Sequence, residues 1–215
     1  EGGNDFFETV DGMIIRKADR ALMHYPSFVQ QGQAAKPIEL PSDIKKIERY
    51  AFAFNFVPQE LILPESLEVL EDYAFNGAAN IVKLKIDHCK ALKRVGNFCF
   101  KGCFRLASFD LPKEGVTFIG EQALQGTAIV SLNIPTNVQI GANAFRGCQS
   151  IANVFSFNTV PPVLDDLAFS DIVEIEQATL HVPFGTKAVY SQAPGWKIFT
   201  NIVEEDLLSV DEVAL

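Results

Sequence analysis

The sequence is poor in the side chains that most often carry chemistry. Among 215 residues there are three histidines, four cysteines, two methionines and one tryptophan. Four thiols at positions 89, 99, 103 and 148 are too few and too clustered for a disulfide scaffold, and they leave the redox compartment open. Positive charge is also short. Eighteen Lys and Arg against 27 Asp and Glu give a formal net charge of −9, with no basic stripe to neutralise phosphates. Nucleic acid is therefore excluded as a partner, and an anionic lipid surface is disfavoured by the same sign. No apolar run approaches the ~20 residues that span a bilayer. Gly-x-Ser-x-Gly, His-Glu-x-x-His, P-loop and dinucleotide fingerprints are all missing. The chain opens at Glu1 without a methionine, as expected of a mature or trimmed chain whose targeting segment has been removed.

What the chain does have is phenylalanine, 18 of them, in a composition 48% hydrophobic. That supports one sizeable core rather than a disordered linker. The hydrophobic residues recur with a long period. "IELPSDIKKIERYAF" at 38–52 is answered by "LILPESLEVLEDYAF" at 61–75, and the closing anchor returns at Phe52, Phe75, Phe100, Leu124, Phe145 and Phe169. Each unit opens on apolar-x-apolar-Pro ("IELP", "LILP", "FDLP", "LNIP", "LHVP"), Asp87 standing for proline in "LKID". An apolar pair such as Ile44/Ile47, Leu67/Leu70 or Leu92/Val95 follows. Two residues past the anchor come Gly77, Gly102, Gly126 and Gly147, with Phe54 and Asp171 in the same register. A glycine recurring there predicts positive φ, which Asp171 tolerates and which leaves Phe54 unexplained.

One unit of this length has an apolar side that it cannot bury alone. Stacked copies bury it against each other, with short strands aligned ~4.8 Å apart and the anchors in an internal column. The period lies in the leucine-rich-repeat range. The expected fold is thus a repeat solenoid, with short parallel β-strands forming one sheet and short helical or irregular turns on the other side. Its ends must be covered. "GMIIRKADRALMHY" reads as a hairpin turning around 17–19, and Thr186 as the N-cap of a short helix running to about Gln192, with Trp196 over the last coil and 198–203 extended.

In detail the units resemble the BspA-like leucine-rich repeats of bacterial surface proteins, approximately L-x-I-P-x-x-V-x-x-I-G-x-x-A-F-x-G-C-x-x-L. The stretch 108–151 follows that pattern closely, 10–27 looks like the family's opening hairpin, and 159–205 like its closing unit. The resemblance covers about 10–205 and departs at Asp87, at Leu124 and in "KIDHCKALKRV". The division that follows is a leader (1–9), a hairpin cap (10–37), repeat coils (38–179), a closing unit (180–206) and a tail (207–215), with 10–206 as one solenoid domain. The resemblance implies extracellular, cell-surface (outer-membrane-associated) or periplasmic placement in a Gram-negative bacterium, with adhesion to a host or bacterial surface protein. It implies no cofactor, and any membrane anchoring would come from a removed leader. A monomer is expected.

For chemistry, the sharpest candidate is a metal or enzymatic site at His88, Cys89, Cys99 and Cys103, since zinc uses such ligands. Against it, Cys103 and Cys148 share the register three past the anchor with Asn55, Ala78, Thr127 and Ile172, and Cys99 sits in a column of alanines. These cysteines therefore read as small packing residues. A Cys103–Cys148 disulfide would have to cross two coil steps, ~9.6 Å, against a Cα limit of ~7 Å. The acid pairs Glu71/Asp72, Asp165/Asp166 and Glu204/Glu205 read as solvated surface, as does each histidine (His24, His88, His181). What remains is the sheet face, where the middle residue of each strand points outward: Glu39, Ile62, Lys85, Asp110, Asn133, Phe155 and His181. The reading is a non-catalytic interaction or adhesion module that binds a protein through this strip. The alternatives are a structural spacer of a larger surface protein and the metal or enzyme site above.

Overall fold

The computed structural model describes residues 4–26, 37–55 and 59–207. They wind into a parallel-strand solenoid of about seven turns with little helix. The chain opens on an antiparallel meander, β1 (Phe7–Val10), β2 (Met13–Arg16) and β3 (Ala21–His24). β1 falls in the segment read as leader, and by pairing Phe7 with Arg16 it makes the expected hairpin a three-stranded cap. Cap residues 27–36 and tail residues 208–215 lie outside the described residues.

From residue 38 to residue 140 each turn contributes two short strands. The first comes from the apolar-x-apolar-Pro element: β4 (Ile38–Glu39), then after β5 (Lys46–Ile47) the matching β6 (Glu60–Ile62). The second comes from the apolar pair: β5, then β7 (Val69–Leu70). The alternation continues through β8 (Lys83–Lys85), β9 (Arg94–Val95), β10 (Ser108–Phe109), β11 (Phe118–Ile119), β12 (Ser131–Ile134) and β13 (Gln139–Ile140). β14 (Asn153–Ser156), β15 (Thr179–Pro183), helix α1 (Lys187–Tyr190) and β16 (Asn201–Glu205) close the chain.

The single sheet expected from the sequence is therefore three. The outward strip runs over two four-stranded parallel ladders, β4-β6-β8-β10 and β12-β14-β15-β16. The apolar pairs, expected to be irregular, form a third ladder, in which β3 of the cap passes directly to β5, β7, β9, β11 and β13. The reason is local: once Ile47, Leu70, Val95 and Ile119 stack at one register, the backbone beside them is extended and finds its partner in the next coil. Pro41, Pro64, Pro112 and Pro135 follow the first strands at a place where no ladder hydrogen bond is required of them.

The anchors form the expected file, interrupted at Leu124. Tyr25 of the cap stacks on Phe52, Phe52 on Phe75 and Phe75 on Phe100, with centroids 4.6, 4.6 and 5.0 Å apart. After Leu124 the stack resumes with Phe145 on Phe169 at 5.1 Å, and Trp196 and Phe199 meet Phe169 edge-on. Each anchor N–H donates to the carbonyl just before the next anchor: Phe52 to Ala74, Phe75 to Cys99 and Phe100 to Ala123, at 2.7–2.9 Å. Both packing and hydrogen bonding thus run from coil to coil, as a stack of units without separate cores requires.

The turn around an anchor holds two left-handed residues at matching registers from Phe52 to Phe145, and one at Phe169. The register two past it does so throughout, in Gly77, Gly102, Gly126 and Gly147 and also in Phe54 (φ 55°) and Asp171 (φ 57°). Phe54 is held there because its N–H donates to the Asn76 carbonyl at 2.9 Å while its ring lies over Gly77. A second left-handed register stands two before the anchor, at Tyr50, Tyr73, Phe98, Gln122 and Asn143, with φ of 51–62°. At the far end Trp196 is fully buried and its indole N–H donates to the Pro162 carbonyl at 2.7 Å. The expected helix is one turn, shorter than read. Its N-cap Thr186 makes no side-chain cap bond and instead donates its hydroxyl back to Pro183, and the extended segment begins at Asn201 rather than 198.

Candidate interaction surface

The strip residues fall into line. Glu39, Ile62 and Lys85 are direct partners across β4, β6 and β8, and Asp110 follows Phe109, which pairs with Leu84, so that it comes beside Lys85. In the second ladder Asn133, Phe155 and His181 are in register, and Val203 of β16 extends the row. Val203 carries no signal of its own in the sequence, because the final segment lacks the apolar-x-apolar-Pro element that marks most of the other strands of the strip. Glu39, Lys85 and Asp110 are exposed, whereas Ile62, Asn133, Phe155 and His181 are half-buried.

The two halves differ in character. Over the first ladder, Glu39, Ile62, Pro64, Glu65 and His88 edge a shallow hollow of about 280 Å³. Burial raises the Asp110 carboxyl above its usual range, and the neighbouring charge of Asp87 adds to the shift. Over the second ladder the Phe155 and His181 rings stack at 4.2 Å. The His181 nitrogens lie 2.8 Å from the Glu205 carboxylate and 3.1 Å from Asn153 Oδ1, so one side chain ties three consecutive coils. This corrects the reading of His181 as a plain surface residue.

The cysteine cluster does not come together. His88 Nε2 lies 2.8 Å from the Leu63 carbonyl, and Cys89 Sγ lies 3.2 Å from that of Pro64. The Cys103 thiol donates to the Phe75 carbonyl and Cys148 to that of Leu124, each at 3.1 Å. Asn55, at the same register, reaches the Tyr25 carbonyl, so three members of this column, Asn55, Cys103 and Cys148, each supply a donor to the coil before. All four thiols are free and buried, and among the described residues no three His, Cys, Asp or Glu side chains converge on a metal-sized space. Burial pushes Cys89 and Cys103 up to about 12 and Cys148 to about 11, and holds Cys99 well above the usual thiol value. At neutral pH they are protonated and poor nucleophiles.

The acid pairs are not idle surface either. Glu71 turns to Lys46 at 2.7 Å, while Asp72 takes Arg94 at 2.8 Å, Arg49 at 3.3 Å and the Asn97 N–H at 2.8 Å. Asp165 accepts from the N–H groups of Asn143 and Leu167, and Glu204 from that of Lys187 at the start of α1. Within each pair where both partners are placed, the carboxylates diverge. They brace coils rather than share a proton.

A family description, BspA type leucine rich repeat region, matches residues 26–152 in six copies. The chain belongs to that family. Solved structures of leucine-rich repeat proteins share the fold: one from Eubacterium ventriosum (17% identity, 99% of this chain and 53% of that chain, TM-score 0.61), TpLRR of T. pallidum (17%, 96% and 83%, 0.58) and the pneumococcal vaccine antigen PcpA (20%, 96% and 49%, 0.57). Against PcpA this chain spans about half the length. No curated protein matches the sequence. BspA-type repeats and the structures that resemble them are generally non-enzymatic. Among the described residues no helix is long and apolar enough to cross a membrane.

Proposed function

We propose that this BspA-type domain is a non-catalytic interaction module, extracellular or displayed at the cell surface, that engages a protein partner through the strip Glu39, Ile62, Lys85, Asp110, Asn133, Phe155 and His181. The observation that carries the reading is the register. Outward side chains from successive coils line up within each ladder, Glu39, Ile62, Lys85 and Asp110 on the first and Asn133, Phe155 and His181 on the second, and the hydrogen-bonded ladders hold them in place before any partner arrives. A preorganised face of this kind loses little order on binding. The contrast between its charged first half and its stacked aromatic second half gives a partner both direction and register. Surface placement is supported by the family and by the kinship in fold with a pneumococcal vaccine antigen.

The test is an array of matrix proteins, cell-surface proteins and glycans probed with the wild-type domain and with a variant carrying Ile62→Ser, Lys85→Glu, Asp110→Lys and Phe155→Ser. A ligand captured by the first and lost at least tenfold by the second supports the strip. Undiminished capture by the variant removes the strip as the site, and reproducible silence of the wild type across the array favours the spacer reading.

A further inference from the structure

The turns that follow β5, β7 and β9 carry a second aromatic surface, formed by none of the strip residues. Tyr50, Tyr73 and Phe98, the left-handed residues two before the anchors, stack at 5.2 and 4.8 Å. Arg49 lies over the Tyr73 ring at 5.7 Å and the Lys101 ammonium over Phe98 at 5.3 Å. Alongside runs the lane of turn glycines. The Phe54 ring lies over Gly77, and the Phe104 ring spans Gly102 and Gly126, where a built Cβ would meet it at 3.7 and 3.6 Å. Both rings remain open to solvent, Phe54 67% and Phe104 69% exposed, as does Tyr50 at 51%. Phe54 and Phe104 belong to coils two steps apart but reach over Gly77 and Gly126 of the coils that follow them, and exposed apolar rings spaced along one lane mark a contact surface.

Charge selects the occupant. On a chain of net charge −9, this face carries Arg49 and Lys101, and Arg105, next in sequence to Phe104, is exposed and makes no ion pair among the described residues. Its carboxylates are Asp72, engaged by Arg94, Arg49 and Asn97, and Glu121, which accepts from Gln122. Cations set among apolar rings fit carboxylates set among apolar side chains. Size agrees: from Gly77 to Gly126 is two coil steps, ~9.6 Å, which an extended segment covers with three or four residues at ~3.3 Å each.

We propose that the turn face formed by Tyr73, Phe98, Phe54, Phe104, Lys101 and Arg105 is a second docking site, specific for a short acidic segment of another protein that bears aromatic side chains. The proposal does not rest on the sheet strip. It is tested by fluorescence anisotropy with labelled tetrapeptides Asp-Phe-Phe-Glu, Lys-Phe-Phe-Lys and Asp-Ser-Ser-Glu, with the wild-type domain and with the variants Phe54→Ser/Phe104→Ser and Arg105→Glu. Both variants change exposed side chains and are compared with the wild type by their melting profiles, and Arg105→Glu leaves the rings, including that of Phe54 over Gly77, untouched.

Binding of the acidic aromatic peptide alone, weakened at least tenfold by each variant and unaltered by the strip variant, is the expected result. No saturation into the millimolar range, equal affinity for the basic peptide, or indifference to both variants overturns it. Concentration-dependent self-association in sedimentation that both variants abolish would give the face to a second copy of the chain instead. Displacement of the peptide by an anionic oligosaccharide at lower concentration would give it to a glycan. Either outcome ends the proposal as stated.

Discussion

At the residue scale, Leu124 is informative because it breaks the aromatic file without leaving a hole. In the neighbouring coils a strand leucine accompanies an anchor phenylalanine: Leu61 with Phe75, Leu84 with Phe100, Leu132 with Phe145. The fourth coil reverses the pair, with Phe109 in the strand and Leu124 at the anchor, both buried, and Phe109 meets Phe100 edge-on at 5.0 Å. Volume has moved across the core and not been lost. Leu124→Phe alone should overpack by about 1–3 kcal/mol, and Phe109→Leu alone should leave a gap of similar cost. The double variant restores the pairing of its neighbours and should melt close to wild type, with a coupling of about 1–3 kcal/mol in the denaturation cycle. Additive losses would mean the two positions are independent. The sequence announced this site only as a departure from the repeat. Its compensation became readable once strand and anchor were seen to fill one layer. The second left-handed register was hidden for a different reason: none of Tyr50, Tyr73, Phe98, Gln122 and Asn143 is glycine, and the aromatic type of the first three is not kept in the last two, so the backbone geometry imposed by the winding has no consistent residue marker.

At the element scale, the strands of the outward strip were legible because proline and alternation punctuate them. The ladder over the apolar pairs was not, since two-residue strands carry no alternation to detect. The braces between coils were equally invisible, because a carboxylate such as Asp72 is assigned by what the next turn brings to it. That brace has a pH signature. Burial alone would raise the Asp72 carboxyl, but the Asn97 N–H and the Arg94 guanidinium outweigh it and hold the group below its ordinary 3.8. A depressed acid contributes stability above its ordinary value and loses it as the pH falls through the folded value. The buried thiols act at the other limit. Raised from 9.0 to about 12, Cys103 favours the fold below 9 and withdraws its contribution as the pH climbs towards 12, on the order of 2–3 kcal/mol by about pH 11. Denaturant midpoints measured across pH should therefore form a plateau with two shoulders. Asp72→Asn should lessen the acid shoulder, to which Asp19, Asp43 and Glu48 also contribute, and Cys103→Ala, a residue the column already accepts as Ala78, should remove one share of the alkaline shoulder that Cys89, Cys99 and Cys148 also feed. Shoulders unchanged in both variants would assign the titration to other groups.

At the scale of the whole molecule, the two ends are sealed by different means, and this governs how damage spreads. The first coil is covered by the meander, with Tyr25 on Phe52 and with Arg16 and Arg20 holding Glu48 and Asp43. The last is closed by Trp196, set edge-on to Phe169 and Tyr190. In an array where each coil rests only on its neighbours, loss of one end is felt by the adjacent coil first and fades along the stack, to the extent that nearest-neighbour coupling is weaker than a whole coil's stability. Trp196→Ala removes about 3–5 kcal/mol of packing at one end. Amide exchange then reads the spread directly through the anchor hydrogen bonds. Protection should fall most at Phe145 and Gly147, whose N–H groups donate to Ala168 and Ser170 of the last coil, less at Leu124, and least at Phe52 and Phe75. Tyr25→Ala should give the mirror-image gradient, starting at Phe52. A uniform loss along the whole file, from either end, would show that the aromatic stack couples every coil into one cooperative unit. The strip and the turn face would then be joined energetically to both caps, and a partner bound at either surface would stabilise the entire solenoid rather than the coils it touches.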